Sequence, residues 1–185
     1  MRWVYGDPHY YHKNVIKYCD RIFSNVEHMN TTMIAKHNAL VHKEDKVFIV
    51  GDFAFTNKLL TREIVNQLNG NIILIMGNHD RKRTRTWLLD CKFHQVIEYP
   101  IIIQDSFILS HEPVFLTKNS VYINIHGHLH GNILVDETTY KSAMSSHLDI
   151  QDIQYNKYIN VCLDNNDFYP FNLDTIINTC SSISP

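Results

Sequence analysis

The chain has 185 residues and a mass of 21.7 kDa, which suits one domain spanning residues 1–185. Lys and Arg number 17 and Asp and Glu 19, so the formal charge is 17 − 19 = −2; that balance excludes a polybasic nucleic-acid coat and a surface held electrostatically on anionic lipid. Hydrophobic residues make up 44% and charged residues 19%, enough apolar content to bury a core, so wholesale disorder is excluded too.

In chain order, Trp3-Val4-Tyr5 reads as a strand that turns at Gly6-Asp7-Pro8. Met29, Met33, Ile34, His37, Leu40 and Val41 recur at helical spacing, with Asn30 or Thr31 as the expected N-cap. Val47 to Val50 is a buried strand stopping at Gly51-Asp52, and Leu60 to Leu68 an amphipathic helix closed near Gly70. Ile72 to Met76 is the strongest strand and stops at Gly77-Asn78-His79-Asp80. Two apolar runs, 101–104 and 107–110, flank Asp105-Ser106 as a hairpin. Val121 to Ile125 leads into His126-Gly127-His128-Leu129-His130, residues 158–161 form a late strand, and Leu173 to Asn178 a closing helix. Strands that are apolar throughout, rather than alternating, are covered on both faces, so the class is α/β.

The cysteines Cys19, Cys91, Cys162 and Cys180 are far apart and read as reduced thiols, mostly core. No apolar run approaches the roughly 20 residues that span a bilayer, and Met1-Arg2-Trp3 opens no expected leader, so a cytoplasmic location is expected. Histidine stands out, with 12 copies, several beside Asp or Asn. The predicted strands end in possible metal ligands: Asp7 and His9, Asp52, Asn78, His111, then His128 and His130. In layered α/β folds, loops at the carboxyl ends of strands meet on one edge, which would gather these groups. Two divalent ions about 3.5–4 Å apart can activate a water and clamp both ends of a displacement at phosphorus. A bridging carboxylate with neutral imidazoles and an amide oxygen would hold them, and Asp52 at a glycine turn is a natural bridge. Gly51 and Gly77 let the backbone approach closely. Mixed N/O ligation suits manganese, iron, nickel or zinc better than calcium.

The series Asp7-Pro8-His9, Gly51-Asp52, Gly77-Asn78-His79-Asp80, Ser110-His111 and Gly127-His128-Leu129-His130 resembles the calcineurin-like metallophosphoesterase superfamily, in its small bacterial and phage branch. The resemblance implies a four-layer α-β-β-α sandwich of two mixed sheets flanked by helices, and a pair of divalent cations, manganese foremost. Asp7, His9 and His130 would hold one ion, Asn78, His111 and His128 the other, with Asp52 between them. A bridging hydroxide would attack phosphorus, His79 would protonate the leaving oxygen, and Asp80 would orient the His79 ring. Gly6 where Ser is more usual, and Pro8 between two ligands, remove none of them.

Within the superfamily that the chain resembles, Asp after the histidine, as at Asp80, is more typical of phosphodiesterases and nucleases, so the resemblance implies a phosphodiester, cyclic or a short nucleotide, as substrate. A phosphomonoesterase or protein phosphatase, a nuclease, and a non-catalytic scaffold are the alternatives. The partners implied are a small phosphodiester or nucleotide, nucleic acid being less favoured, and no membrane. His12, Asn14 and Arg21 are candidates for holding substrate phosphate, Arg21 by a bidentate contact, against a reading as a helix-surface cluster. Arg81 to Arg85 would either guide a polyanion or form a solvated loop. Tyr10, Tyr11 and Tyr18 could stack on a base. His126 and His147 read as structural or exposed.

Overall fold

A computed structural model describes residues 1–117, 119–132 and 157–181; His147 lies outside the described residues. The strands are β1 (Arg2–Tyr5), β2 (Lys46–Val50), β3 (Asn71–Ile75), β4 (Gln95–Ile97), β5 (Ile101–Ile103), β6 (Phe107–Ser110), β7 (Ile123–His126), β8 (Tyr158–Asn160) and β9 (Phe171–Asn172). The helices are α1 (Lys13–Tyr18), α2 (Val26–Leu40), α3 (Lys58–Gln67), α4 (Arg85–Leu89) and α5 (Leu173–Ser181). Two mixed sheets result, ordered β4-β3-β2-β1-β9 and β5-β6-β7-β8. In the first, β1 to β4 are parallel and β9 antiparallel; in the second, the β5–β6 hairpin precedes the parallel pairs β6–β7 and β7–β8.

Strand alternation explains the layers. Trp3 and Tyr5, Val47 and Ile49, and Ile72 and Leu74 face one core with Met29 and Met33 of α2 and Ile64 and Val65 of α3. Their neighbours Val4, Phe48, Val50, Ile73 and Ile75 face the other way, against Phe107, Leu109, Ile125 and Val161 of the second sheet. The first sheet is thus covered by helices on one face and by the second sheet on the other, which is why its strands are apolar throughout. Each such side chain stabilises the fold by about 1.5–3 kcal/mol. Leu173 and Ile177 of α5 complete the inter-sheet core beside β1 and β9. The expected two-sheet α/β sandwich with flanking helices is the fold adopted. Among the described residues no helix is long and apolar enough to cross a membrane.

The N-cap of α2 differs from expectation. Asn25, not Asn30 or Thr31, caps it, its side chain accepting from His28 N at 2.8 Å. Asn30 sits inside the helix, buried, and its amide oxygen accepts from Tyr11 N at 3.1 Å. The helix starts a turn before its first core methionine, so apolar spacing places the boundary too late.

Beyond β1 the chain pairs in parallel with the segment after β8: Gly6 N donates to Val161 O at 2.8 Å and Leu163 N to Gly6 O at 3.1 Å. The two sheets therefore meet at the carboxyl ends of their parallel strands, and the loops from both emerge at one rim.

Candidate metal centre

Every residue expected to bind metal lies on that rim. Asp7 and His9 follow β1, Asp52 follows β2, Asn78 follows β3, His111 follows β6, and His128 and His130 follow β7. Asp7, His9, Asp52, His128 and His130 all have left-handed backbone, with φ of 57°, 51°, 55°, 71° and 50°. For residues with a Cβ this conformation costs about 1–3 kcal/mol each, a strain that persists where surroundings impose it and that clusters at functional sites. Close approach explains the glycines. A Cβ on Gly51 would overlap the His111 ring, and one on Gly77 would overlap the Asp52 carboxylate.

Two groups of side chains offer ligand atoms within 4.8 Å of one another: Asp7, His9 and His130, and Asp7, Asp52 and His111. Asp52 faces both directions. Its Oδ2 lies 3.7 Å from His9 Nε2 and its Oδ1 3.6 Å from His111 Nε2. His111 Nδ1 donates to Val50 O at 3.0 Å, so the neutral ring presents a bare Nε2. That nitrogen nonetheless meets Asn78 Oδ1 at 2.8 Å and His128 Nδ1 at 3.2 Å. Asp7 has one saturated oxygen: Oδ2 accepts from His128 N at 2.6 Å and from Cys162 Sγ at 3.1 Å. Its Oδ1, and both ring nitrogens of His9, are buried without a hydrogen-bond partner. Buried polar atoms are nearly always satisfied. A set of acceptors converging unpaired is what a cation would satisfy, and these residues fit a metal ion.

The electrostatics agree. Burial pushes Asp52 up to about 7, helped by Asp7 and Asp80, so its charge is costly without a cation. Burial opposes charge on His111, but the carboxylates of Asp7 and Asp52 outweigh it and raise its pKa. Burial holds His9 down at about 4, so its ring is neutral over the physiological range, the form a cation would need. His130 Nδ1 lies 3.1 Å from Asp164 Oδ2, the carboxylate–histidine pairing that orients a metal-binding ring; against burial, Asp164, Cys19 and Asp7 raise it to about 10.

Three expectations need correction. Asp80 does not orient the His79 ring: its carboxylate, fully buried, accepts from the backbone N–H groups of Asp52 (2.7 Å), Gly77 (2.9 Å) and Phe53 (3.1 Å). It ties the loop after β2 to the loop after β3, and burial raises its pKa. His79 itself lies beside Asp52, Nε2 to Oδ2 3.7 Å, with its pKa lowered by burial and by Lys82. Arg21 is not available to a substrate. Its buried guanidinium grips Asp164 through two contacts (2.8 and 2.9 Å) and donates to the carbonyls of Asp7 (2.7 Å) and Pro8 (3.0 Å). Asn14 is exposed on α1 and does not line the cleft. His12 does: its ring stacks on Phe55 at 4.0 Å and 9°.

Sequence reasoning gave no role in the site to Cys162, Asp164, Cys19 or Phe55. Cys162 and Asp164 follow β8 as the expected ligands follow their strands, a positional signal that was there to read. Cys19 joins His130 and Asp164 in a further group with ligand atoms within 4.8 Å. Phe55 touches the rings of His9, His12 and His79 and carries no sequence mark. The cleft above the rim has a volume of about 750 Å³, with His9, His79 and His130 in its wall.

No protein-family model matches the chain. Its fold is shared by a crystal structure of the protein of unknown function AQ665 from Aquifex aeolicus, with a TM-score of 0.66, 22% identity, and coverage of 97% of this chain and 98% of that one. It is also similar to the uncharacterized protein MJ1445 of Methanocaldococcus jannaschii, 37% identical over 186 residues, which cover 96% of this chain and 90% of that protein. An identity of this size across almost the full length of both makes the chain a member of the family of MJ1445.

Proposed function

We propose that this protein is a metal-dependent phosphoesterase that hydrolyses a phosphodiester, with a pair of divalent cations, manganese foremost, held by Asp7, His9 and His130, by Asn78, His111 and His128, and by Asp52 in common. One observation carries the reading: ligand-type side chains from five loops converge, and at their centre Asp7 Oδ1 and both ring nitrogens of His9 are buried with no hydrogen-bond partner. When bound, such cations supply charge neutralisation at the phosphoryl oxygens and a water acidic enough to attack at neutral pH. The chain's residues do the rest. Asp80 fixes the two loops that carry Asp52 and His79. His79, half-exposed at the edge of the cleft, would deliver the proton to the leaving oxygen. An anionic diester in the cleft would restore the proton affinity that burial and Lys82 lower on that ring.

The test compares leaving groups. Wild-type protein should turn over bis-(p-nitrophenyl) phosphate with Mn²⁺, and Asp52→Asn should lose bound metal and at least about a thousandfold in rate. His79→Ala should retain its metal. It should lose roughly a hundredfold or more on a nucleotide diester with an alkyl leaving group, and far less on the nitrophenyl ester, whose leaving group needs little protonation. Equal turnover in wild type and Asp52→Asn would refute the proposal and favour the scaffold reading.

A further inference from the structure

Phe55 divides the space beside His79 into two arms. On one side lies the 750 Å³ cleft, whose wall includes His12, Tyr18, Cys19 and Asn132. On the other is a recess of about 250 Å³ lined by Phe55, His79, Lys82 and Arg83. The two share Phe55 and His79, and His79 Nε2 lies 3.7 Å from Asp52 Oδ2 of the candidate metal centre.

The first arm has an aromatic wall. His12 and Phe55 lie parallel at 4.0 Å, a two-ring slab, and Tyr18, 71% exposed, stands edge-on to His12 at 6.3 Å. A large aromatic left in solvent at the mouth of a polar site makes no contribution to the core, but it offers a face on which a planar base can stack. The second arm is basic, and its charges are not equivalent. Arg81 pairs with Glu112 at 2.9 and 3.2 Å, Arg83 donates to Thr56 O at 2.9 Å while lying over Trp87, and Arg85 donates to Val96 O at 3.0 Å. Lys82 is exposed, and among the described residues no ion pair or hydrogen bond engages its ammonium. The run 81–85 is therefore one available cation among fixed arginines, and that cation borders His79.

We infer that the site takes a linear nucleotide phosphodiester, with a base in the aromatic arm against Tyr18 and the His12–Phe55 slab and a neighbouring phosphate in the basic arm at Lys82. The inference rests on the phosphoesterase reading and narrows it. A cyclic mononucleotide has one phosphate and leaves Lys82 unused, whereas a short single-stranded chain fills both arms. Base stacking tolerates any sequence, so base identity is not selected.

Two variants and three substrates test this. Tyr18→Ala should raise the KM for thymidine 5′-(p-nitrophenyl) phosphate roughly tenfold more than it raises that for bis-(p-nitrophenyl) phosphate, which has no base. Lys82→Ala should raise the KM for pTpT about fivefold more than that for TpT, which lacks the second phosphate, and added salt should erase that difference. Calorimetric binding of pTpT to the metal-free protein gives a readout without turnover, and both variants should weaken it. Equal effects on the paired substrates, or pTpT binding unaltered in both variants, would overturn the two-arm site even if bis-(p-nitrophenyl) phosphate is hydrolysed. Binding of pTpT that both variants weaken, in a protein that hydrolyses no diester, would instead end the phosphoesterase reading and leave the two-arm site standing.

Discussion

Arg21 illustrates how far a residue type can mislead when its environment is unknown. A guanidinium near a predicted phosphate site suggests a bidentate contact to substrate, yet here the same fork geometry is spent on Asp164 and on two backbone carbonyls of the Asp7 loop. The contact is indirect support for the site, since Asp164 in turn orients His130 and the Asp7 carbonyl belongs to a candidate ligand. Asp80 is the same lesson in reverse: a residue expected to tune a ring instead anchors three backbone N–H groups. Metal-type ligands were legible because a strand end followed by Asp, Asn or His is a local pattern. The partners of Arg21 and Asp80 lie up to 143 residues away and leave no local pattern. Removing one member of a buried ion pair strands the other, at a cost of about 3–5 kcal/mol. We therefore expect Arg21→Gln to lower the stability of the chelator-treated protein by about that amount in urea denaturation, with Arg21→Lys only partly restoring it. A variant that kept wild-type stability and changed only KM would show that Arg21 serves substrate after all.

Elements with an apolar run or a helical period were readable, namely β1, β2, β3, the β5–β6 hairpin, β7, β8, α2, α3 and α5. Four short ones without such a pattern were not. Six-residue α1, five-residue α4, three-residue β4 and two-residue β9 are too brief to show a period, and they exist because tertiary contacts hold them. The way α2 is held shows what such contacts do. His37 of α2 places Nε2 2.8 Å from Asn69 O in the turn after α3, and Nδ1 3.2 Å from the Tyr5 hydroxyl of β1. The neutral ring satisfies both, donating to the carbonyl and accepting from the hydroxyl. Burial lowers its pKa from 6.5 to about 4. Between those values the unfolded chain binds a proton that the folded chain does not. The stability His37 contributes is whole above pH 6.5 and is lost as pH falls toward 4, by about 3 kcal/mol in total. His37→Gln should be less stable at pH 7 but should flatten the acid limb, by up to about 1.4 kcal/mol per pH unit. Urea midpoints between pH 7 and pH 4.5 measure it, and an unchanged slope would remove His37 from the account.

At the scale of the molecule, the notable feature is that neither sheet holds a complete ligand set. Asp7, His9, Asp52 and Asn78 come from loops of the first sheet, and His111, His128 and His130 from loops of the second. Direct bonds between the sheets at the rim include Gly6 to Val161 and Leu163, Asp7 to His128 N and Cys162 Sγ, and His111 to Val50 O and Asn78 Oδ1. A cation held by Asp7, His9 and His130, or by Asp7, Asp52 and His111, would add ligand bonds across the same seam, so its binding would staple the sandwich. Mass action sets the size: at a hundredfold excess over Kd, binding to the folded state alone adds about 2.7 kcal/mol. For a chain of this length that corresponds to a rise in Tm of roughly 5–10 °C. We expect Mn²⁺ to raise the Tm of chelator-treated protein by that amount. His9→Gln and His111→Gln, one from each sheet, should each abolish most of the rise, because either loss breaks the bridge. Should His9→Gln remove the rise and His111→Gln leave it whole, or the reverse, the cation would belong to one sheet alone, and the seam would be held only by its hydrogen bonds.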